Sequence, residues 1–218
     1  MQRAHSEAPL QQEYFDRYSS GAPINWDIGR PQSAVERLVQ SGFFWGRVLD
    51  VGCGFGDNAR CIAQQSQPKS PIHVVATDFV PKAIEMAKER TNQSDFPNLT
   101  YMVLDALKED EQDDLGQFDF VLDSCLFHGL SDENRQIYIR QLRRWLKPQG
   151  IHVQLAWSEK ETLDRPRGPR KITKAELQQW FSVDNGWQIQ TITDEIIDNI
   201  PALMGGRSIA YLSIIQKL

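Results

Sequence analysis

"VLDVGCGFGDNARC", residues 48–61, is the stretch on which the fold turns. An apolar run breaks into Gly52, Gly54 and Gly56, and the chain then sets Ala59, Ile62 and Ala63 at helical spacing. The pattern reads as a buried strand, a glycine turn and a helix, with the first N–H groups of the helix aimed at a ligand. Glycines there tolerate positive φ and let a ligand approach the backbone closely. The spacing is GxGxG, whereas a dinucleotide fingerprint is GxGxxG, and Asp57 stands where its third glycine belongs. Asp57 also reads as a favourable first-turn acid of the helix.

Working outward, strands alternate with amphipathic helices. "RVLDV" (47–51), "IHVVAT" (72–77), "LTYMVL" (99–104), "FDFVLD" (118–123) and "IHVQLAW" (151–157) read as strands. Between them, Val80, Ala83, Ile84 and Ala87 form one helical stripe. Ser131 reads as an N-cap followed by Asp132 and Glu133, with Tyr138, Leu142 and Trp145 as the buried side and "KPQG" (147–150) as the stop. Thr173 and Glu176 have capping-box spacing before a helix that buries Leu177, Trp180 and Phe181. Two final strands, around 187–193 and 208–216, have no convincing helix between them and are expected to pair antiparallel. The pattern predicts an α/β doubly wound, Rossmann-like sheet, mostly parallel, with helices on both faces. A ligand is then expected just after residues 51, 77, 104, 123 and 157, beyond the carboxyl ends of the strands.

At 218 residues the chain suits one domain: a polar, frayed start over 1–12, a helical cover over 13–46 and the core over 47–218. A net charge of −5 argues against a nonspecific nucleic-acid binder, which needs a basic face. The acidic run "KEDEQDD" (108–114) reads as a solvated loop. No apolar run is long enough to span a membrane. Cys53, Cys61 and Cys125 are odd in number and form no CxxC pair, which disfavours both a disulfide framework and a metal site. A cytoplasmic protein is expected.

The remaining acids choose between cofactors. Asp50 and Asp57 flank the glycine loop, poor neighbours for a pyrophosphate and suitable ones for the sulfonium and α-ammonium of S-adenosylmethionine. Asp78 ends the second strand, where an acid accepts ribose hydroxyls. Asp105 follows the third strand and reads either as a contact to an adenine amino group or as the cap of a turn. Together "VLDVGCGFG", "ATD", "DAL", "FDFVLDSCLFHGLS" and "LRRWLKPQG" resemble the class I S-adenosylmethionine-dependent methyltransferases over about residues 14–218. The resemblance implies a seven-stranded sheet with an antiparallel last strand. It also implies that Asp50, Gly52 and Gly54 line the methionine end, Asp78 the ribose, and Asp105 with Ala106 the adenine, with Cys53, Phe79, Leu107 and Asp123 as further cofactor contacts. The loop after Asp123 would cover the methyl group.

"APINWDIGRPQ" (22–32) resembles the "PWDxGRP" segment of a subgroup that includes thiol, thiopurine, halide and tellurite methyltransferases, departing from it at Asn25. By that resemblance it folds over the cofactor, with Arg30 on the methionine carboxylate and Trp26 walling the transfer pocket. The bland alternatives are that Trp26 packs the N-terminal helix and Arg30 makes a surface pair. His128 is the histidine placed in the predicted active-site loop and is the candidate general base, if one is needed. Arg165, Arg167 and Arg170 sit near the predicted mouth. The favoured function is methyl transfer to a small molecule, with a thiol or other soft nucleophile as acceptor. A non-catalytic cofactor-binding subunit and a nicotinamide oxidoreductase are the alternatives.

Overall fold

The computed structural model describes residues 11–108, 115–163 and 169–218. Most of the acidic run and the residues Arg165 and Arg167 lie outside the described residues. Seven strands form one sheet: β1 (Gly46–Val51), β2 (Ile72–Asp78), β3 (Leu99–Val103), β4 (Phe118–Ser124), β5 (Leu146–Trp157), β6 (Trp187–Asp198) and β7 (Arg207–Lys217). Their order is β3-β2-β1-β4-β5-β7-β6. β1 to β5 pair in parallel, and β7 runs antiparallel to both β5 and β6.

Side-chain alternation along the strands divides the core. Val48, Phe120 and Leu122 face α2 (Ser33–Gln40), α3 (Asp57–Gln64) and α4 (Pro81–Glu89), which contribute Val35, Ile62 and Ile84. Leu49, Val51 and Val121 face α5 (Asp132–Trp145) and α6 (Lys174–Trp180), which contribute Tyr138, Trp145 and Leu177. A further helix, α1 (Gln11–Ser19), sets Tyr18 against Phe55 and Val80 above the glycine loop. Burial of these two apolar layers on either side of one sheet is the main stabilising term.

Local signals act as expected. Ser131 Oγ accepts the Asn134 N–H, and Thr173 and Glu176 complete a reciprocal capping box. Trp180 is only partly buried, because Leu177 and Phe181 fill the inner face of α6. The helix does stop at Trp145, but "KPQG" is strand rather than turn. Leu146 pairs with Phe118, and a bulge with Gln149 at φ 65° absorbs the irregularity before Ile151 pairs with Phe120. β6 and β7 run longer than expected, and a four-residue helix, α7 (Pro201–Met204), lies between them.

Sheet order reverses between β2-β1 and β1-β4, so the crevice of this doubly wound fold lies past the ends of β1 and β4. Gly56 closes the loop there: its φ is 76°, and an added Cβ would collide with the Tyr101 ring. Gly42 has a similar φ of 71° but open space around it. Gly42→Ala is therefore expected to cost about 1 kcal/mol, the conformational term alone. Gly56→Ala is expected to cost at least about 2 kcal/mol, because overpacking adds to it. Urea denaturation of the two variants measures the difference.

Candidate active site

A cleft of about 230 Å³ opens beyond the ends of the central strands. Its floor is the glycine loop, in which Gly52, Gly54 and Gly56 all have positive φ. Cys53 N–H donates to Thr77 O at 2.8 Å and Gly56 N–H to Cys53 O at 2.9 Å, which curls the loop under the cleft. A Cβ at Gly52 would meet Leu126 Cδ1 at 2.9 Å, and one at Gly54 would meet the Tyr18 hydroxyl at 3.1 Å. Glycine is required at both positions if the backbone is to reach the cleft.

Asp78 holds this loop in place. Its Oδ2 accepts the Gly54 N–H at 3.0 Å and its Oδ1 the Val80 N–H at 3.0 Å. Burial pushes its pKa up to about 6, against the pull of those N–H groups. Asp105 caps a turn, its Oδ1 accepting the Leu107 N–H at 3.0 Å, and it also lies on the cleft wall beside Ala106 and Leu107. Cys53 and Phe79 also line the cleft. Asp57 is engaged by Arg60 of the next turn, so it is half of an ion pair rather than a bare acid.

Two sequence-singled acids are not on the cleft wall. Asp50 is 1% exposed beneath the loop, with Oδ2 unpartnered, and burial followed by the charges of Asp123 and Asp78 raises its pKa to about 7. Asp123 is fully buried and accepts the N–H groups of Leu126 and Phe127. Burial raises its pKa to about 6. Both act from below, Asp123 by holding the loop after β4.

The cover segment between α1 and α2 is tied down on three sides. Asp27 takes a bidentate pair from Arg90 of α4 at 2.7 and 2.8 Å. Gln32 N–H donates to Asn58 of α3, and the Gln32 side chain exchanges two bonds with the Asp198 backbone. Ile200 N–H donates to Asn25 O. Trp26 meets both readings: its Nε1–H donates to the Tyr18 hydroxyl at 3.1 Å, and its ring lines the cleft. Arg30, half exposed, pairs with Asp198 at 3.3 Å and also reaches the cleft.

The cleft is also lined by apolar and aromatic side chains: Tyr14, Trp26, Leu126, Leu130, Trp157 and Met204. Leu126 and Trp26 lie over Gly52 and Gly54. Sequence reasoning missed Tyr14 and Tyr18, which sit one helical turn apart, a readable signal. Met204 comes from "EIIDNIPALMGG" (195–206), a stretch expected to shape the pocket. Cys125 also lines the cleft, with φ 78°, a strained non-glycine conformation, and burial pushes its thiol up to about 12.

His128 is 4% exposed on the cleft wall. Its Nδ1 accepts the Trp157 backbone N–H at 3.0 Å. Burial, with the Arg135 charge behind it, lowers its pKa to about 3. The bond from Trp157 occupies the Nδ1 lone pair, so the neutral ring carries its proton on Nε2. Arg170, the described member of the basic stretch, is buried rather than at the mouth, and its N–H donates to His128 O at 2.8 Å.

The residues present fit an S-adenosyl cofactor: a glycine cradle, the three wall carboxylates Asp57, Asp78 and Asp105, and below them Asp50 with an unpartnered oxygen. Comparison with known proteins agrees. A methyltransferase-domain family model matches residues 48–150. A 2-heptyl-1-hydroxyquinolin-4(1H)-one methyltransferase of Mycobacteroides abscessus is 28% identical over 84% of this chain and 80% of its own length. A probable thiol methyltransferase of Arabidopsis thaliana is 27% identical over 78% of this chain and 71% of its own. The solved structure of an S-adenosylmethionine-dependent methyltransferase from Anabaena variabilis superposes with a TM-score of 0.77 at 18% identity, covering 99% of each chain. Among the described residues no helix is long and apolar enough to cross a membrane. Over residues 48–150 the chain is thus similar to the methyltransferase domain, and over most of its length to small-molecule and thiol methyltransferases.

Proposed function

We propose that this chain methylates a small, largely apolar acceptor through a soft nucleophilic atom, a thiol foremost. The observation that carries the reading is one cleft in which a glycine loop and carboxylates meet aromatic and apolar side chains. Thiol and hydroxyquinolone methyltransferases among the relatives support an acceptor of this kind. In this reading Gly52, Cys53 and Gly54 present backbone to the cofactor. Asp78 and Phe79 hold its ribose, and Asp105, Ala106 and Leu107 its adenine. S-adenosylmethionine supplies an electrophilic methyl group whose leaving group is a neutral thioether. What remains for the chain is alignment and exclusion of water. Trp26, Arg30 and α7 close the cleft, while Asp50 and Asp123 support it from beneath.

Calorimetry tests cofactor binding. One-to-one binding of S-adenosylmethionine and S-adenosylhomocysteine is expected, with NADPH silent. Asp78→Asn should weaken both by about 1–3 kcal/mol, since one charged acceptor is lost. Unchanged affinity would remove Asp78 from the site. Radiolabelled methyl transfer to thiols, iodide, phenols and amines then tests the acceptor, thiols being expected to outpace amines.

The buried acids predict an unusual pH dependence of folding. Asp50, Asp78 and Asp123 titrate at about 7, 6 and 6 in the fold. An unfolded aspartate titrates near ~3.9. The native state thus holds the extra protons, so this stabilisation is complete below about pH 4 and is lost as pH rises through about 6 to 7. Buried His128 and His152, lowered to about 3, act in the opposite direction over the same range, so the acid contribution is read as a difference between variants. The urea midpoint of cofactor-free Asp50→Asn relative to the unaltered protein is expected to rise between about pH 5 and pH 7.5, and a constant difference would contradict it.

A further inference from the structure

We propose that His128 selects the acceptor by its ionisation state: fixed as the Nε2–H tautomer by the Trp157 N–H, it donates to an acceptor atom that arrives already deprotonated, so the substrate is a weak acid used as its anion. This rests on the methyltransferase reading above and narrows its substrate class to ionised thiols or comparably acidic hydroxyls on an apolar skeleton.

The tautomer follows from geometry. A backbone N–H can only donate, so the 3.0 Å bond from Trp157 makes Nδ1 an acceptor. The one proton of the neutral ring is then on Nε2, to which no group of the described protein is bonded, on a side chain that lines the cleft. The ring cannot turn over without breaking that bond. Its own loop is clamped: Arg135 Nε donates to Phe127 O at 3.2 Å, and Arg170 donates to the carbonyls of His128 and Leu130. Asp132 holds both guanidinium groups, at 3.4 and 2.6 Å.

Among the described residues, the groups around it are engaged or hold their protons. Asp123 lies under the loop, bound to the N–H groups of Leu126 and Phe127. Cys125 and Tyr14, which line the same cleft, hold their protons up to about 12. Arg135 of α5 and Arg170 are cations. The wall carboxylates Asp57, Asp78 and Asp105 are each engaged by protein groups. Among the described residues, an acceptor that had to lose its proton during transfer would find no unengaged base beside His128. An ionised acceptor needs none: its lone pair forms the new bond to the methyl carbon as the carbon–sulfur bond breaks, and that electron pair goes to the thioether. Positive charge on the methyl donor and negative charge on the acceptor cancel, and no proton is left over.

The probes are 4-nitrophenol and 4-nitrothiophenol, whose anions absorb at longer wavelength than the neutral forms. Each is titrated into the S-adenosylhomocysteine complex at a pH below its own midpoint in solution. The expected result is growth of the anion band on binding, the bound midpoint falling by about one pH unit, a tenfold preference for the anion. His128→Phe should abolish that shift and lower kcat/KM for thiols by about 10- to 100-fold, as for a lost bond to a charged group. Its affinity for S-adenosylhomocysteine should stay unchanged. His128→Asn, whose amide can both accept from Trp157 and donate to the acceptor, should recover part of the shift. With S-adenosylmethionine, the pH midpoint of kcat/KM should move with the acidity of each thiol or phenol. A midpoint common to all acceptors and lost in the His128 variants would restore a general base and overturn the proposal. So would binding of the neutral probe, or no binding of either probe to a complex that holds S-adenosylhomocysteine. Failure to bind S-adenosylhomocysteine at all would instead sink the methyltransferase reading itself.

Discussion

The carboxylate of Asp78 joins three parts of this protein that must move as one. It takes the Gly54 N–H with one oxygen and the Val80 N–H with the other. The glycine loop after β1 is thereby fastened to the end of β2 and the start of α4. A loop of three positive-φ glycines has high conformational entropy when unfolded, so it needs such a tie to present one shape. The cost is a carboxylate buried among others, visible in its raised pKa. Asp50, with an unpartnered oxygen under the same loop, adds to that cost. Sites that keep unfavourable charge in the fold do so where a ligand of opposite sign can relieve it.

Above the loop, a second set of bonds makes the cover segment part of the cleft wall. Asp27–Arg90, Gln32–Asn58 and Gln32–Asp198 reach α4, α3 and the end of β6 respectively. The Asn25–Ile200 bond adds α7. The segment therefore touches both helices and the β6–β7 connection, which brings Met204 to the cleft. A side chain such as Trp26 has two roles for this reason, since the ring that packs α1 also faces the cleft.

Much of this was legible in the residues, and the limits have physical causes. Strands β1 to β4 and the capped starts of α5 and α6 follow from hydrophobic period and cap chemistry, both local properties. The β5 bulge and α7 were missed because they depend on tertiary pairing: "KPQG" looks like a helix stop but is held as strand by Phe118. The site was legible as a set of positions at strand ends, not as orientations. Asp50, Asp123 and Gly52 all fall at such ends, yet only Gly52 reaches the cleft. Burial decides which way a strand-end side chain points, and spacing does not carry it. His128 was placed in the loop that lines the cleft, but its tautomer was not legible. Its proton position is set by a backbone N–H 29 residues away, a contact that no local pattern announces.

Charge is spread unevenly around the cleft, which bears on the reaction as a whole. Acids lie on the cleft wall and under the glycine loop, while two guanidinium groups are buried behind the loop that carries His128. Such a field favours a cation near the acids and an anion near His128. Methyl transfer between a sulfonium and an anion destroys both charges, so its transition state is less polar than its reactants. Water, which solvates separated charges, would oppose that change, and an aromatic wall of Tyr14, Trp26 and Trp157 excludes it. In the proposed reaction, charge draws the reactants in, and low polarity where they meet favours their neutralisation.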